Sequence, residues 1–66
     1  PMTNKEEIER ANFDINSHAN NLVRAAKCRF WFKYLTRKNI NVKISTDLKI
    51  EEIIDENIEP VQGPSL

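Results

Sequence analysis

The side chains able to do covalent or acid–base chemistry are few in this sequence and poorly spaced for it. The 66 residues include a single histidine, His18, and a single cysteine, Cys28. Ten positions apart, they would stand roughly 15 Å from each other on a helix, too far for a base to activate its own nucleophile. One histidine and one thiol also fall short of a zinc site of the usual kinds, so no metal and no other cofactor is expected. Glu6, Glu7 and Glu9 have no convergent partner in the sequence. Pro1 offers the secondary amine that tautomerases use as a nucleophile, but Met2 behind it reads as the natural start, with Pro1 as a tag remnant. No catalytic residues are expected.

The chemistry that remains is recognition. Ten basic and ten acidic residues cancel, yet they are sorted into blocks. Between Ile15 and Thr46 there is no acid and there are seven bases: Arg24, Lys27, Arg29, Lys33, Arg37, Lys38 and Lys43. From Asp47 to Glu59 six acids stand against Lys49 alone. Arg29, Lys33 and Arg37 repeat every fourth residue and so project from one side of a helix. Phe30, Trp31, Phe32 and Tyr34 lie inside the same basic segment. At 100° per residue they cannot share one side: Phe30 and Tyr34 fall on one arc with Val23, and Trp31, Phe32 and Leu35 on another with Cys28. A small core can hide one arc, the wider one; the other is left for a partner, and Trp and Tyr are common interface anchors.

Two readings of this segment follow. In the first, Phe30, Trp31 and Tyr34 anchor a protein partner while Arg29, Lys33 and Arg37 steer it and fix register. In the alternative, a transcriptional or replication regulator, Arg24, Lys27, Arg29, Lys33, Arg37, Lys38 and Lys43 contact nucleic-acid phosphates and the aromatics stack on unpaired bases. Overall neutrality favours the first, because dedicated nucleic-acid-binding domains are usually strongly basic. A membrane surface fits poorly, since Arg24, Lys27 and Lys38 lie opposite the Arg29 column. The bland account of the acids is an ordinary amphipathic surface helix.

The elements that position these residues can be read in outline. Thr3-Asn4-Lys5-Glu6 has the form of a capping box, which starts a helix near Asn4. Ile8, Ile15, Ala19, Leu22 and Ala26 fall in a stripe about 60° wide, a seam for another helix. Asn12, Asp14, Asn16 and Ser17 compete for backbone hydrogen bonds and favour a break there, with Asp14 or Ser17 capping a second helix that runs to about Lys38. Asn39 and Asn41 mark the turn out of it. Ile40, Val42 and Ile44 alternate with polar residues as in a short strand. That strand needs a mate, either Leu48 to Ile50 in a hairpin or the same strand of a second copy. The second copy is favoured because Thr46-Asp47 resembles a helix start, with Ile50, Ile53, Ile54 and Ile58 forming its apolar stripe. From Pro60 the tail shows turn formers and no periodicity.

Sixty-six residues make one domain near the lower limit for folding alone, here without a disulfide or metal to help. Oligomerisation or a partner is what remains. The expected fold is mainly α, two or three helices with one short β-strand in helix–strand–helix order, completed by dimerisation, over residues 3–59 with a tail at 60–66. The single thiol and the lack of an apolar leader or a ~20-residue apolar run point to a cytoplasmic protein. Asn, Ile and Lys supply 22 of the 66 residues, a bias that AT-rich phage or viral codons would give. The expected function is that of a small non-enzymatic binding protein or regulator, a homo-oligomer that acts on a protein partner through its basic-aromatic helix.

Overall fold

A computed structural model describes residues 1–54. Helix α1 spans Asn4–Asn16 and opens with the capping box read from the sequence. The Thr3 amide donates to Glu6 Oε1 (2.8 Å), and the Glu6 amide donates to Thr3 Oγ1 (3.1 Å). The break falls slightly later than its sequence signals suggest. Ser17 keeps a helical backbone and closes α1, and Asp14 lies inside that helix, so neither caps the next one. The cap is Asn20, which is extended and whose Oδ1 accepts from the amides of Leu22 (2.8 Å) and Val23 (3.3 Å). Those are two of the amides a helix start leaves unpaired, which is why an asparagine serves there.

Helix α2 spans Asn21–Arg37. It ends in a Schellman turn: the Ile40 amide donates to Leu35 O (3.0 Å) and the Asn39 amide to Thr36 O (2.9 Å). Asn39 takes the left-handed conformation this requires (φ 63°), which asparagine tolerates better than most residues. Leu35 and Ile40, the apolar pair that accompanies such a turn, are both buried.

The chain then forms a hairpin, and here two expectations are corrected. Strand β1, Val42–Ile44, pairs antiparallel with strand β2, Ile50–Glu52, in the register Val42↔Glu52, Lys43↔Glu51, Ile44↔Ile50. The mate is therefore in the same chain and not in a second copy. Thr46-Asp47 starts no helix: the Leu48 amide donates to Ser45 O, the Ser45 amide to Lys49 O, and Leu48 sits at φ 62°, which reverses the chain. The physical reason is burial. In this turn Ile50 reaches the core at 2% exposure, while Leu48 packs against the same core despite its strained backbone. Ile53 follows β2, its amide donating to Asn41 O, and Ile54 is exposed. Ile58, the rest of the expected acidic helix and the 60–66 tail lie outside the described residues.

Among the described residues the chain is thus mainly helical, with two helices and one small antiparallel sheet. Its core is Ala11, Ile15, Cys28, Trp31, Leu35, Ile40, Val42 and Ile50, with Ile8, Phe32, Tyr34 and Leu48 against it. The wide arc of α2 is the buried one, as its pattern implied. The long seam is not: Ile8 and Ile15 meet the core, but Leu22 is 82% exposed and Ala19 and Ala26 are exposed too. The turn at Ser17–Asn20 resets the helical phase, so a stripe drawn through it has no physical continuity.

Two polar contacts tie the layers together. The Asn12 carboxamide donates Nδ2–H to Ile50 O (2.9 Å) and accepts at Oδ1 from the Ile50 amide (2.8 Å). The register explains this. Ladder bonds at Ser45–Lys49 and Asn41–Ile53 alternate with pairs whose backbone groups face outward, and Ile44↔Ile50 is one of these. Asn12 therefore takes the place of a third strand at the outer edge of β2. Farther along α1, the buried carboxylate of Glu7 is paired through Oε2 with the Lys38 ammonium.

Candidate binding face

The aromatic residues left outside the core gather between the two helices. Arg10, Phe13, Asp14 and Ser17 of α1 face Lys27, Phe30 and Trp31 of α2 across an open groove of about 510 Å³. Phe13 is 79% exposed and Phe30 59%. Trp31 forms the floor. Its ring meets Phe30 edge-on (centroids 5.5 Å apart, 82°) and Tyr34 edge-on (5.5 Å, 90°), and the Arg10 guanidinium lies 5.9 Å from its centroid. A second groove of about 240 Å³ continues along α2, lined by Phe30, Lys33, Tyr34 and Arg37.

Asp14 holds the floor in place. Trp31 Nε1–H donates to its Oδ2 (2.8 Å), Lys27 Nζ stands 3.2 Å from the same oxygen, and His18 Nε2 lies 3.9 Å from Oδ1. The Trp31 hydrogen bond first, and Lys27 next, hold the Asp14 carboxyl below the usual carboxylate range. An ionised carboxylate of this kind is a positioning group and a poor proton donor. A pH dependence follows. A depressed pKa adds stability above the unfolded value, about 3.9, and that stability is lost as pH falls through the lower folded value. In thermal unfolding, the gap between the natural chain and Asp14→Asn should be full at neutral pH and shrink below about pH 4; a gap constant down to pH 2 would contradict the assignment.

The seven bases of the basic block separate into two groups. Lys27 is paired with Asp14, Lys38 with Glu7, and Lys43 with Glu51 across the hairpin (3.8 Å). Arg24 is half-buried and donates to Asn16 Oδ1 (3.1 Å) and Asn21 Oδ1 (3.4 Å). The Glu7 hydrogen bond, then that to Tyr34 Oη, push the Lys38 ammonium up, so it stays charged and spent on its partners. Arg29, Lys33 and Arg37 have no carboxylate partner among the described residues. All three are exposed on α2. The column picked out by its fourfold spacing is thus the part of the basic block that no carboxylate among the described residues answers.

Of the three aromatics expected to anchor a partner, Phe30 is exposed, Tyr34 is half-buried and Trp31 belongs to the core while lining the groove. Phe13 was not among them. It sits in the Asn12–Ser17 stretch whose polar residues signal a break, and its sequence signal is only that of a lone aromatic among polar neighbours. Cys28 is 1% exposed, and burial pushes its thiol up. Among the described residues no three His, Cys, Asp or Glu side chains come together as metal ligands. No helix among them is long and apolar enough to cross a membrane.

Comparison with known proteins yields no match to a family model, a curated protein or a solved structure.

Proposed function

We propose that this chain is a non-enzymatic binding module whose α1–α2 face takes a protein partner. The partner segment offers acidic side chains to Arg29, Lys33 and Arg37 and an apolar side chain to the groove beside Phe30. The observation that carries this reading is that exposed Phe30 lines both grooves, beside exposed Phe13 in the first and, in the second, beside Lys33 and Arg37, which have no carboxylate partner among the described residues. Opposite charge across such a face speeds encounter and fixes register, and buried aromatic anchors supply most of the affinity. A second copy docking by the same face would set the cations against themselves, so the partner is a different surface.

The phosphate-binding alternative is weakened by the same inventory. Four of the seven bases it would use are engaged within the protein, leaving about three for phosphates. Three contacts give a salt slope of only roughly −2 to −3, a weak electrostatic hold for a nucleic-acid protein.

Peptide-display selection against the full chain tests the reading, with Lys33→Glu/Arg37→Glu as counter-target. Enriched sequences should combine Asp or Glu with a bulky apolar residue, and the double charge reversal should weaken them at least about tenfold. Selected peptides that bind both proteins equally would sink the proposal. So would a single-stranded oligonucleotide gel shift that weakens steeply with salt, which would move the function to nucleic acid.

A further inference from the structure

The groove beside Phe30 has a candidate occupant in the chain itself. We infer that the acidic segment Asp55–Glu59 docks on the Lys33/Arg37 end of this face in the free protein and must be displaced by a partner. The inference deepens the reading above by giving the same face a resting occupant.

Three observations support it. The first is position. The described chain ends just past Ile53, whose amide donates to Asn41 O, and Asn41 lies three residues beyond Lys38, where α2 ends. The described chain therefore ends near the end of α2 that carries Arg37. The second is composition. The segment reads Asp55-Glu56-Asn57-Ile58-Glu59, three acids around one isoleucine, with no base from there to Leu66. Its chemistry is that proposed for the partner. The third is fit. The groove lined by Phe30, Lys33, Tyr34 and Arg37 has aromatic walls between two cations without carboxylate partners among the described residues. Ile58 would enter it, with Glu56 and Glu59 on the cations. Five residues beyond Ile54 extend up to roughly 17 Å, against about 6 Å along the helix between Lys33 and Arg37.

The consequence is regulatory. A tethered acidic segment competes as an intramolecular ligand at high effective concentration, so external acidic ligands bind more weakly than the open groove would allow. Salt, or loss of the acids, would open the face.

Paramagnetic relaxation in the full chain tests this without any partner. A nitroxide on Gln62→Cys in a Cys28→Ala background should broaden the amide signals of Phe30 to Arg37. The broadening should vanish when Asp55→Asn, Glu56→Gln and Glu59→Gln are added. Broadening confined to the hairpin, or unchanged in the neutralised chain, overturns the inference. Broadening seen only between spin-labelled and isotope-labelled chains in a mixture also overturns it, in favour of a second copy. If Cys28→Ala weakens the fold, amide shifts of the otherwise natural chain serve instead: neutralising the three acids should move Lys33 and Arg37, and unmoved signals refute docking. Failure of the display selection would leave a positive result here intact, and success there would not rescue a negative one.

Discussion

Replacing Trp31 with alanine is expected to cost about 3–5 kcal/mol of folding stability, the usual range for an aromatic removed from a core. Phe30→Ala, one position away, is expected to change it by no more than about 0.5–1 kcal/mol, because that ring is largely in solvent. Trp31 packs in the core, closes edge-on against Phe30 and Tyr34, and donates its indole N–H to Asp14. Trp31→Phe should fall between the two, since it keeps most of the ring volume and leaves Asp14 without that donor. Urea unfolding followed by far-ultraviolet circular dichroism gives the values for Phe30→Ala and Trp31→Phe. The Trp31→Ala protein should be largely unfolded before urea is added, since a domain of this size has a margin of only about 3–5 kcal/mol. A Phe30 variant as damaging as the Trp31 variant would mean that Phe30 is core and that the groove is not a free surface. The outcome matters for function because Phe30→Ala is the variant that should lose ligand while remaining folded.

How much of this was legible in the sequence varies with the range of the interaction. The Thr3–Glu6 box, the end of α2 at Asn39 and the buried arc of Cys28, Trp31 and Leu35 all follow from contacts within one or two turns. The choice between a helix and a hairpin after Ser45 does not. Thr46 and Asp47 suit a helix cap and a tight turn equally well, since in both a short polar side chain competes for nearby backbone groups. What decides is Ile50 reaching the core with Leu48 in a left-handed conformation, a tertiary gain that outweighs a local strain. The candidate site divides in the same way. The Arg29–Lys33–Arg37 column is a matter of spacing on one helix. That Lys27 and Lys38 are taken, while no carboxylate among the described residues pairs with the column, depends on Asp14 and Glu7 of the other helix, whose approach no local pattern encodes.

Asn12 is the extreme case, a residue whose helix-breaking character conceals a structural role. Asn12→Leu should preserve or improve the helical propensity of α1 and still destabilise the protein by about 2–4 kcal/mol. The cost arises 38 positions away. Without the carboxamide, the Ile50 N–H and C=O at the outer edge of β2 lose both partners, and each unpaired, partly buried backbone group costs about 1–3 kcal/mol. A domain of this size has a margin of only about 3–5 kcal/mol, so most of it would go. Asn12→Asp separates geometry from donor chemistry. At neutral pH its carboxylate can still accept from the Ile50 amide but faces the Ile50 carbonyl oxygen with no proton, whereas the protonated acid at low pH can donate. Relative to Asn12→Leu, the aspartate variant should therefore recover stability as its carboxyl titrates. Denaturant midpoints for the three proteins across pH 3 to 7 would show it, and hydrogen exchange at the Ile50 amide would report the same bond directly. An Asn12→Leu protein within about 0.5 kcal/mol of the natural chain, with that amide still protected, would show that β2 is held by its hairpin and the core alone, and that α1 does not act as its third strand.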